Sequence, residues 1–258
     1  MRGGGRLERR HIGGTDLKQE IFEIEQNTEI APGVFEMTLL GDTSAITAPG
    51  QFVQIALPGF YLRRPISVCD CENGRLTLIY KVVGDGTGAM SALTAGDSLD
   101  LLTGLGNGYD LDACIGHVLV IGGGAGVPPM YYLAKRLTSL GREVTAILGF
   151  QSKCDVFYEE KFRTLGVRTI VTTVDGSYGV AGFVTDAMTM PHDYVCACGP
   201  LPMLRAVYNR SDADGAYSFE ERMGCGFGAC MGCSIQTRYG TKRICKEGPV
   251  LRKEEILW

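Results

Sequence analysis

Little in this sequence suits a membrane, a nucleic acid or an exported disulfide scaffold. Apolar runs such as Val118–Ile121 are far too short to cross a bilayer. No lysine and arginine cluster forms a basic patch, and the net charge is −4 with a pI near 5.5, which argues against nucleic acid or anionic membrane as the main partner. Residues 1–15 are rich in glycine and arginine but lack the apolar stretch of a secretory signal. They are expected to form a loose tail or an upstream start, with an amphipathic organelle presequence as the alternative, and a cytoplasmic location is expected. No internal repeat is visible.

Glycine and cysteine are abundant instead. Glycine fills 36 of 258 positions, roughly twice its usual share, which points to tight turns and to backbone approaching ligands. Four of the ten cysteines crowd into the last 34 residues, and without an export signal that crowding reads as metal binding rather than disulfides. Cys69, Cys71, Cys114, Cys154, Cys196 and Cys198 sit mostly in strand-like runs, where a small buried thiol is expected.

From Gln19 to Leu102 short alternating segments are separated by turn residues. Ile21–Glu25, Val34–Leu40, Gln51–Leu57, Pro65–Cys69, Leu76–Val83 and Ser98–Leu102 read as strands of a small antiparallel β-barrel, with a short helix over Thr87–Ala95. After about residue 111 strands alternate with helices. Strands His117–Ile121, Glu143–Phe150, Val167–Val174 and Tyr194–Cys198 alternate with helices Pro128–Leu140, Val156–Leu165, Phe183–Met188 and Pro202–Asn209, the pattern of a parallel α/β sheet. Past Asp214 regular patterns fade into a glycine- and cysteine-rich tail. The fold expected is therefore a barrel domain over residues 16–110, an α/β domain over 111–214 and a small C-terminal metal module over 215–258.

Cys225-Gly-Phe-Gly-Ala-Cys230-Met-Gly-Cys233, followed after eleven residues by Cys245, has the C-x4-C-x2-C…C spacing of plant-type [2Fe–2S] sites. Gly224, Gly226, Gly228 and Gly232 leave room for the chain to wrap a cluster. A structural zinc site is the alternative, but zinc knuckles favour two separated C-x2-C pairs.

Val118-Leu-Val-Ile-Gly-Gly-Gly-Ala-Gly-Val-Pro-Pro129 is a buried-type strand running through a glycine turn into a helix. Such a turn presents bare amides to a phosphate, although its glycines miss the G-x-G-x-x-G register. A tight corner with no ligand would look the same. Arg64-Pro-Ile-Ser67 could pair a pyrophosphate and hydrogen-bond a flavin ring, or could be an ordinary strand start. Ile79-Tyr-Lys81 with Gly84-Asp-Gly-Thr87 offers an aromatic face and a helix opening toward an anion, or a plain capped helix. Cys198-Gly-Pro200 ends a strand where ligands of open α/β sheets collect, and a buried core thiol stands as the equal alternative to a role beside a bound ligand.

Together these segments resemble the ferredoxin–NADP reductase superfamily over about residues 18–210. The resemblance implies that Arg64, Pro65, Ile66, Ser67, Ile79, Tyr80, Lys81, Gly86 and Thr87 line FAD. It implies that Gly122, Gly123, Gly124, Ala125, Gly126, Cys198, Gly199 and Pro200 face NAD. The tail Glu221-Arg-Met-Gly-Cys225 onward, with Cys245-Lys-Glu-Gly-Pro-Val250, is similar to electron-transfer subunits of two-subunit, NAD-linked dihydroorotate dehydrogenase. That likeness implies a [2Fe–2S] cluster on Cys225, Cys230, Cys233 and Cys245, and a role in pyrimidine biosynthesis. It also implies a separate FMN-containing catalytic subunit in a heterotetramer of two each. Lys81 and Glu247 stand where Arg and Asp are expected. No base or nucleophile for orotate chemistry is evident, so this chain is expected to have no catalytic residue of its own for that step. Small subunits of sulfide dehydrogenase or of NADH-dependent ferredoxin–NADP oxidoreductase share the layout, and a zinc-stapled binding module is the alternative of a different class.

Overall fold

The computed structural model describes residues 17–258, so the expectation for the tail at 1–15 lies outside the described residues. Six strands close a barrel in the order β1-β2-β5-β4-β3-β6. They are β1 (Lys18–Ala31), β2 (Val34–Leu40), β3 (Phe52–Ala56), β4 (Arg64–Glu72), β5 (Arg75–Lys81) and β6 (Ser98–Leu105). Alternation explains the closure: on β1 Phe22 and Ile24 are buried while Glu23 and Glu25 face water, and Met37, Leu39, Val53, Ile55, Leu78 and Leu101 join them inside. The short helix α1 (Asp85–Ser91) begins two residues before the expected Thr87 and ends well before Ala95.

Residues 106–116 lead to a seven-stranded sheet ordered β10-β9-β8-β7-β11-β12-β15. It is built from β7 (His117–Gly123), helix α2 (Val127–Ser139), β8 (Glu143–Phe150), helix α3 (Glu159–Thr164), β9 (Arg168–Thr173) and β10 (Val180–Ala181). After β11 (Tyr194–Cys198) come helix α4 (Leu201–Arg210) and β12 (Asp214–Ser218); two further strands, β13 (Ser234–Thr237) and β14 (Gly240–Arg243), form a separate hairpin before β15 (Val250–Arg252). Pairing is parallel from β10 to β12, and β15 closes the edge antiparallel to β12.

Three expectations are corrected. Helix α3 starts at Glu159 rather than Val156, because Tyr158 adopts a left-handed backbone (φ 67°) that the helix cannot include. Phe183–Met188 yields only a single tight turn, Val184–Ala187. The chain past Asp214 does not lose its strands. Four form there, too short to show a period in the sequence, and they are set by pairing with β11, with β12 and with each other.

Barrel and sheet share a firm seam. Tyr132 of α2 packs into the barrel core, and Lys135 Nζ reaches Asp70 Oδ2 at 2.7 Å and Glu72 Oε2 at 2.8 Å on β4. Asn107 ties the C-terminal segment down, donating to Val250 O at 2.8 Å and accepting from Val250 N at 3.1 Å. No helix among the described residues is long and apolar enough to cross a membrane.

Candidate functional site

A cleft of about 700 Å³ opens where the carboxyl ends of β7, β8, β9 and β11 face β5 of the barrel. Gly123, Gly124, Ala125, Gly126, Gly199 and Pro200 line its sheet side, and Ile79, Tyr80 and Lys81 line its barrel side. The fold thus brings Ile79, Tyr80 and Lys81 from one group of candidates and Gly123–Gly126, Gly199 and Pro200 from the other into one cavity, at the end of a parallel sheet where ligands collect. Gly126 is glycine for space: a Cβ there would stand 2.1 Å from the Cys198 carbonyl oxygen. That closeness seats the amino end of α2 against β11 and at the cleft wall, where its free amides and dipole favour an anion. Gly124 has φ +51° and open space around its Cα.

Gly122 and Cys198 lie beneath the wall rather than in it, both buried. Burial, with Glu220 adding to it and the Ser218 hydroxyl opposing, pushes the Cys198 thiol up to about 12. A neutral, packed thiol is the result. Two residues absent from the sequence-based candidates also belong to the cleft. Thr172, at the end of β9, keeps a buried hydroxyl without a partner among the described residues. Glu220 is open to solvent yet surrounded by protein, and that surrounding raises its carboxyl above the ordinary glutamate range. Strand-end position could have flagged Thr172; nothing local flags Glu220.

On the barrel, Arg64 lies over the Phe60 ring at 4.8 Å and donates to Leu62 O at 2.6 Å. Gly86 leaves it room, since a Cβ there would meet Arg64 Nε at 2.0 Å. Thr87 is occupied as a cap: its Oγ1 accepts from Val83 N at 2.9 Å and donates to Gly84 O at 3.1 Å. Arg64, Gly86 and Thr87 therefore meet at the start of α1. Pro65 and Ser67 share one face of β4, paired across to Gln54 and Phe52 of β3, while Ile66 packs against the barrel core. Tyr80 is buried and stacks on Phe35 at 5.7 Å, and its hydroxyl donates to Asn27 Oδ1 at 2.9 Å; burial pushes that phenol up to about 12.

The four cysteines fall into two neighbouring pairs, Cys225 with Cys230 and Cys233 with Cys245, in each of which the amide of the second reaches the sulfur of the first. Among the described residues no three His, Cys, Asp or Glu side chains converge tightly enough for one metal ion. Two pairs suit a two-iron cluster, one pair to each iron, better than a tetrahedral zinc. Backbone amides of Ala229 and Cys230 donate to Cys225 Sγ at 3.2 and 3.4 Å, and the Cys245 amide donates to Cys233 Sγ at 3.4 Å. Burial raises the Cys225 thiol, but the amides and the Cys230 thiol outweigh it and lower it to about 6. Cys245 moves the other way, up to about 12, through burial and its Cys233 neighbour.

The loop is wedged against the body of the protein. Gly226 (φ +79°) presses on Gln54 and Gly228 (φ +91°) on Lys246, each with no room for a Cβ. Cys233 and Cys245 are buried in a core with Phe52, Leu105 and Ile244, whereas Cys230 is exposed between Phe227 and Met231, 45% and 54% exposed. Arg243 closes the loop from outside: its Nη1 donates to Gly228 O at 2.6 Å while the same guanidinium pairs with Glu247. Glu247, the expected Asp, thus has the length to grip Arg243 from one helical turn away.

A barrel, a parallel sheet with a phosphate-suited turn between them, and a two-pair cysteine loop define an iron–sulfur oxidoreductase of the ferredoxin–NADP reductase fold. A solved structure reported as giving insights into flavin-based electron bifurcation via NADH-dependent reduced ferredoxin-NADP oxidoreductase superposes with a TM-score of 0.84 at 31% identity, covering 92% of this chain and 90% of its own. Residues 220–257 match the iron–sulfur cluster binding domain of dihydroorotate dehydrogenase B, and residues 120–209 match an oxidoreductase NAD-binding domain. The dihydroorotate dehydrogenase B (NAD(+)) electron transfer subunits of Bacillus pumilus and Bacillus caldolyticus are each 44% identical, over 93% of this chain and 98% and 99% of theirs. The chain belongs to this family of electron transfer subunits.

Proposed function

We propose that the chain carries electrons between NAD and a separate dihydroorotate dehydrogenase catalytic subunit, through FAD and a [2Fe–2S] cluster, in the synthesis of pyrimidines. The observation that carries this is the cysteine loop itself, two thiol pairs seated by Gly226 on the barrel strand that neighbours Pro65 and Ser67.

FAD, when bound, supplies the exchange between a two-electron hydride and single electrons, and the cluster supplies carriage of one electron at a time. The chain's own residues do the holding. We assign Arg64, Gly86 and Thr87 to the flavin's phosphates, and Pro65, Ile66, Ser67, Ile79, Tyr80 and Lys81 to its surroundings. Gly122–Gly126 and Cys198–Pro200 are assigned to NAD, with Gly122 and Cys198 acting through backbone, since their side positions are buried. Cys225, Cys230, Cys233 and Cys245 hold the irons. Amides aimed at Cys225 and Cys233 sulfurs favour the more negative state of their ligand set.

In this division residues 16–110 hold FAD, 111–214 hold NAD and 215–258 hold the cluster, the last segment also lending two strands to the central sheet. The catalytic partner carries FMN and assembles as two copies of each subunit, docking over exposed Phe227, Cys230 and Met231. Ten free cysteines suit a reducing cytoplasm. Copurification tests the partner: an FMN-containing subunit and dihydroorotate-to-NAD activity found only in the complex are expected. A larger iron–sulfur flavoprotein in its place contradicts the assignment.

A further inference from the structure

Gln54 lies at the junction between the barrel and the cysteine loop, and its environment is anomalous. Its side chain is fully buried, at 0% exposure, yet neither Nε2 nor Oε1 has a hydrogen-bond partner among the described residues. Burying an amide without partners is costly, because the hydrogen bonds it made to water are lost and not replaced. An apolar residue of the same length would fill the place at lower cost if packing were its only role.

The direction of the side chain indicates what it serves. On β3, Val53 and Ile55 point into the barrel core, so Phe52 and Gln54 point outward. Phe52 reaches the core that holds Cys233 and Cys245. Gln54 reaches the loop between Cys225 and Cys230: a Cβ on Gly226 would stand 2.3 Å from Gln54 Nε2. Across the strand pair, the same two residues face Ser67 and Pro65. One outward face of β3 and β4 therefore joins the residues assigned to flavin with those that seat the cluster loop.

We propose that Gln54 is a positioning residue for the iron–sulfur cluster, its amide donating to the Cys225–Cys230 ligand loop when the cluster is loaded and so raising the cluster's reduction potential. The proposal rests on the assignment of these cysteines to a [2Fe–2S] cluster. Donors near cluster sulfurs stabilise the reduced, more negative state, which is why such bonds tune potential. The amide also stands between Pro65, its cross-strand neighbour, and Gly226 of the loop, with both polar atoms unpartnered among the described residues.

The test uses the full chain loaded with FAD and iron, with Gln54→Met to remove the donor at similar length and Gln54→Glu to replace it by an acceptor. Iron and FAD content, the electron paramagnetic resonance spectrum of the reduced cluster and its midpoint potential are read together. Both variants are expected to keep wild-type FAD content and to show an altered cluster spectrum. At a fixed potential the reduced-to-oxidised ratio of the cluster is expected to fall about tenfold, which for one electron is about 59 mV. Loss of iron with FAD retained also supports the proposal. Wild-type spectrum and midpoint in both variants overturn it, as does failure of both to fold, because two orphaned atoms give the fold no hydrogen bond to lose. A wild-type chain that binds FAD but no iron would instead defeat the cluster assignment on which the proposal stands.

Discussion

Arg243 donates through Nη1 to the carbonyl oxygen of Gly228 at 2.6 Å, a side-chain bond that clasps the end of the β13–β14 hairpin onto the loop that carries three of the four cysteines. Glu247 holds the guanidinium from the other side. Removing the clasp with Arg243→Gln should weaken the hold on iron about 10- to 100-fold, the usual effect of losing a partner that orients metal ligands. Release of iron to a chelator measures it. Arg243→Lys should restore only part, because an ammonium cannot fork between a carboxylate and a carbonyl in this way.

Cys230→Ser should remove the cluster while leaving NADH-to-FAD reduction largely intact. Cys230 is exposed on the outer side of the loop, whereas the cleft and the Arg64 corner lie on other elements. Iron content, flavin content and stopped-flow bleaching of the flavin by NADH distinguish the two outcomes. Loss of FAD along with iron would show that the loop and the barrel do not bind their groups independently.

Gly126→Ala should damage dinucleotide use. Its Cβ would collide with the Cys198 carbonyl at 2.1 Å, so either β11 or the start of α2 must shift. Overpacking of this kind costs about 1–3 kcal/mol of stability. The larger effect should be a raised KM for NADH with FAD content unchanged, measured by steady-state reduction of an artificial acceptor. Gly124→Ala has space around it and should cost less in folding, about 1 kcal/mol for its left-handed backbone.

Acid should destabilise the protein through carboxylates paired with arginine. Hydrogen bonding to Arg63 holds Asp100 below the ordinary aspartate range, and Arg243 does the same to Glu247. Each contributes stability that is present above its unfolded pKa and is lost as pH falls through its lower folded value. Thermal melts between pH 7 and pH 3 should show a steady fall beginning near the unfolded carboxylate range, about pH 4. Asp100→Asn should flatten that fall.

The legible parts of this chain were those with local signals. Alternation at Phe22 and Ile24, the strand Val118–Ile121 and the cysteine spacing each state their structure within a few residues. The short strands after Asp214 were not legible, because pairing partners far along the chain define them. Glu220 and Gln54 carry no local signal for the same reason: only the folded cleft surrounds the first, and only Gly226, far along the chain, bears on the second. Cys198 stands at a strand end where ligands collect, yet its side chain turns inward to the core. Tyr158 defeated the helix boundary by taking a left-handed backbone that its residue type rarely adopts.

Anaerobic titration of the purified full chain with NADH, followed by visible absorption and electron paramagnetic resonance, reads electron flow from NADH to flavin and cluster in one experiment. Flavin absorption is expected to bleach and a [2Fe–2S] signal to appear in the same titration, with about two irons per FAD, the content of one cluster for each flavin. A chain that is colourless, or whose flavin bleaches while four-cysteine zinc replaces the iron, would contradict it.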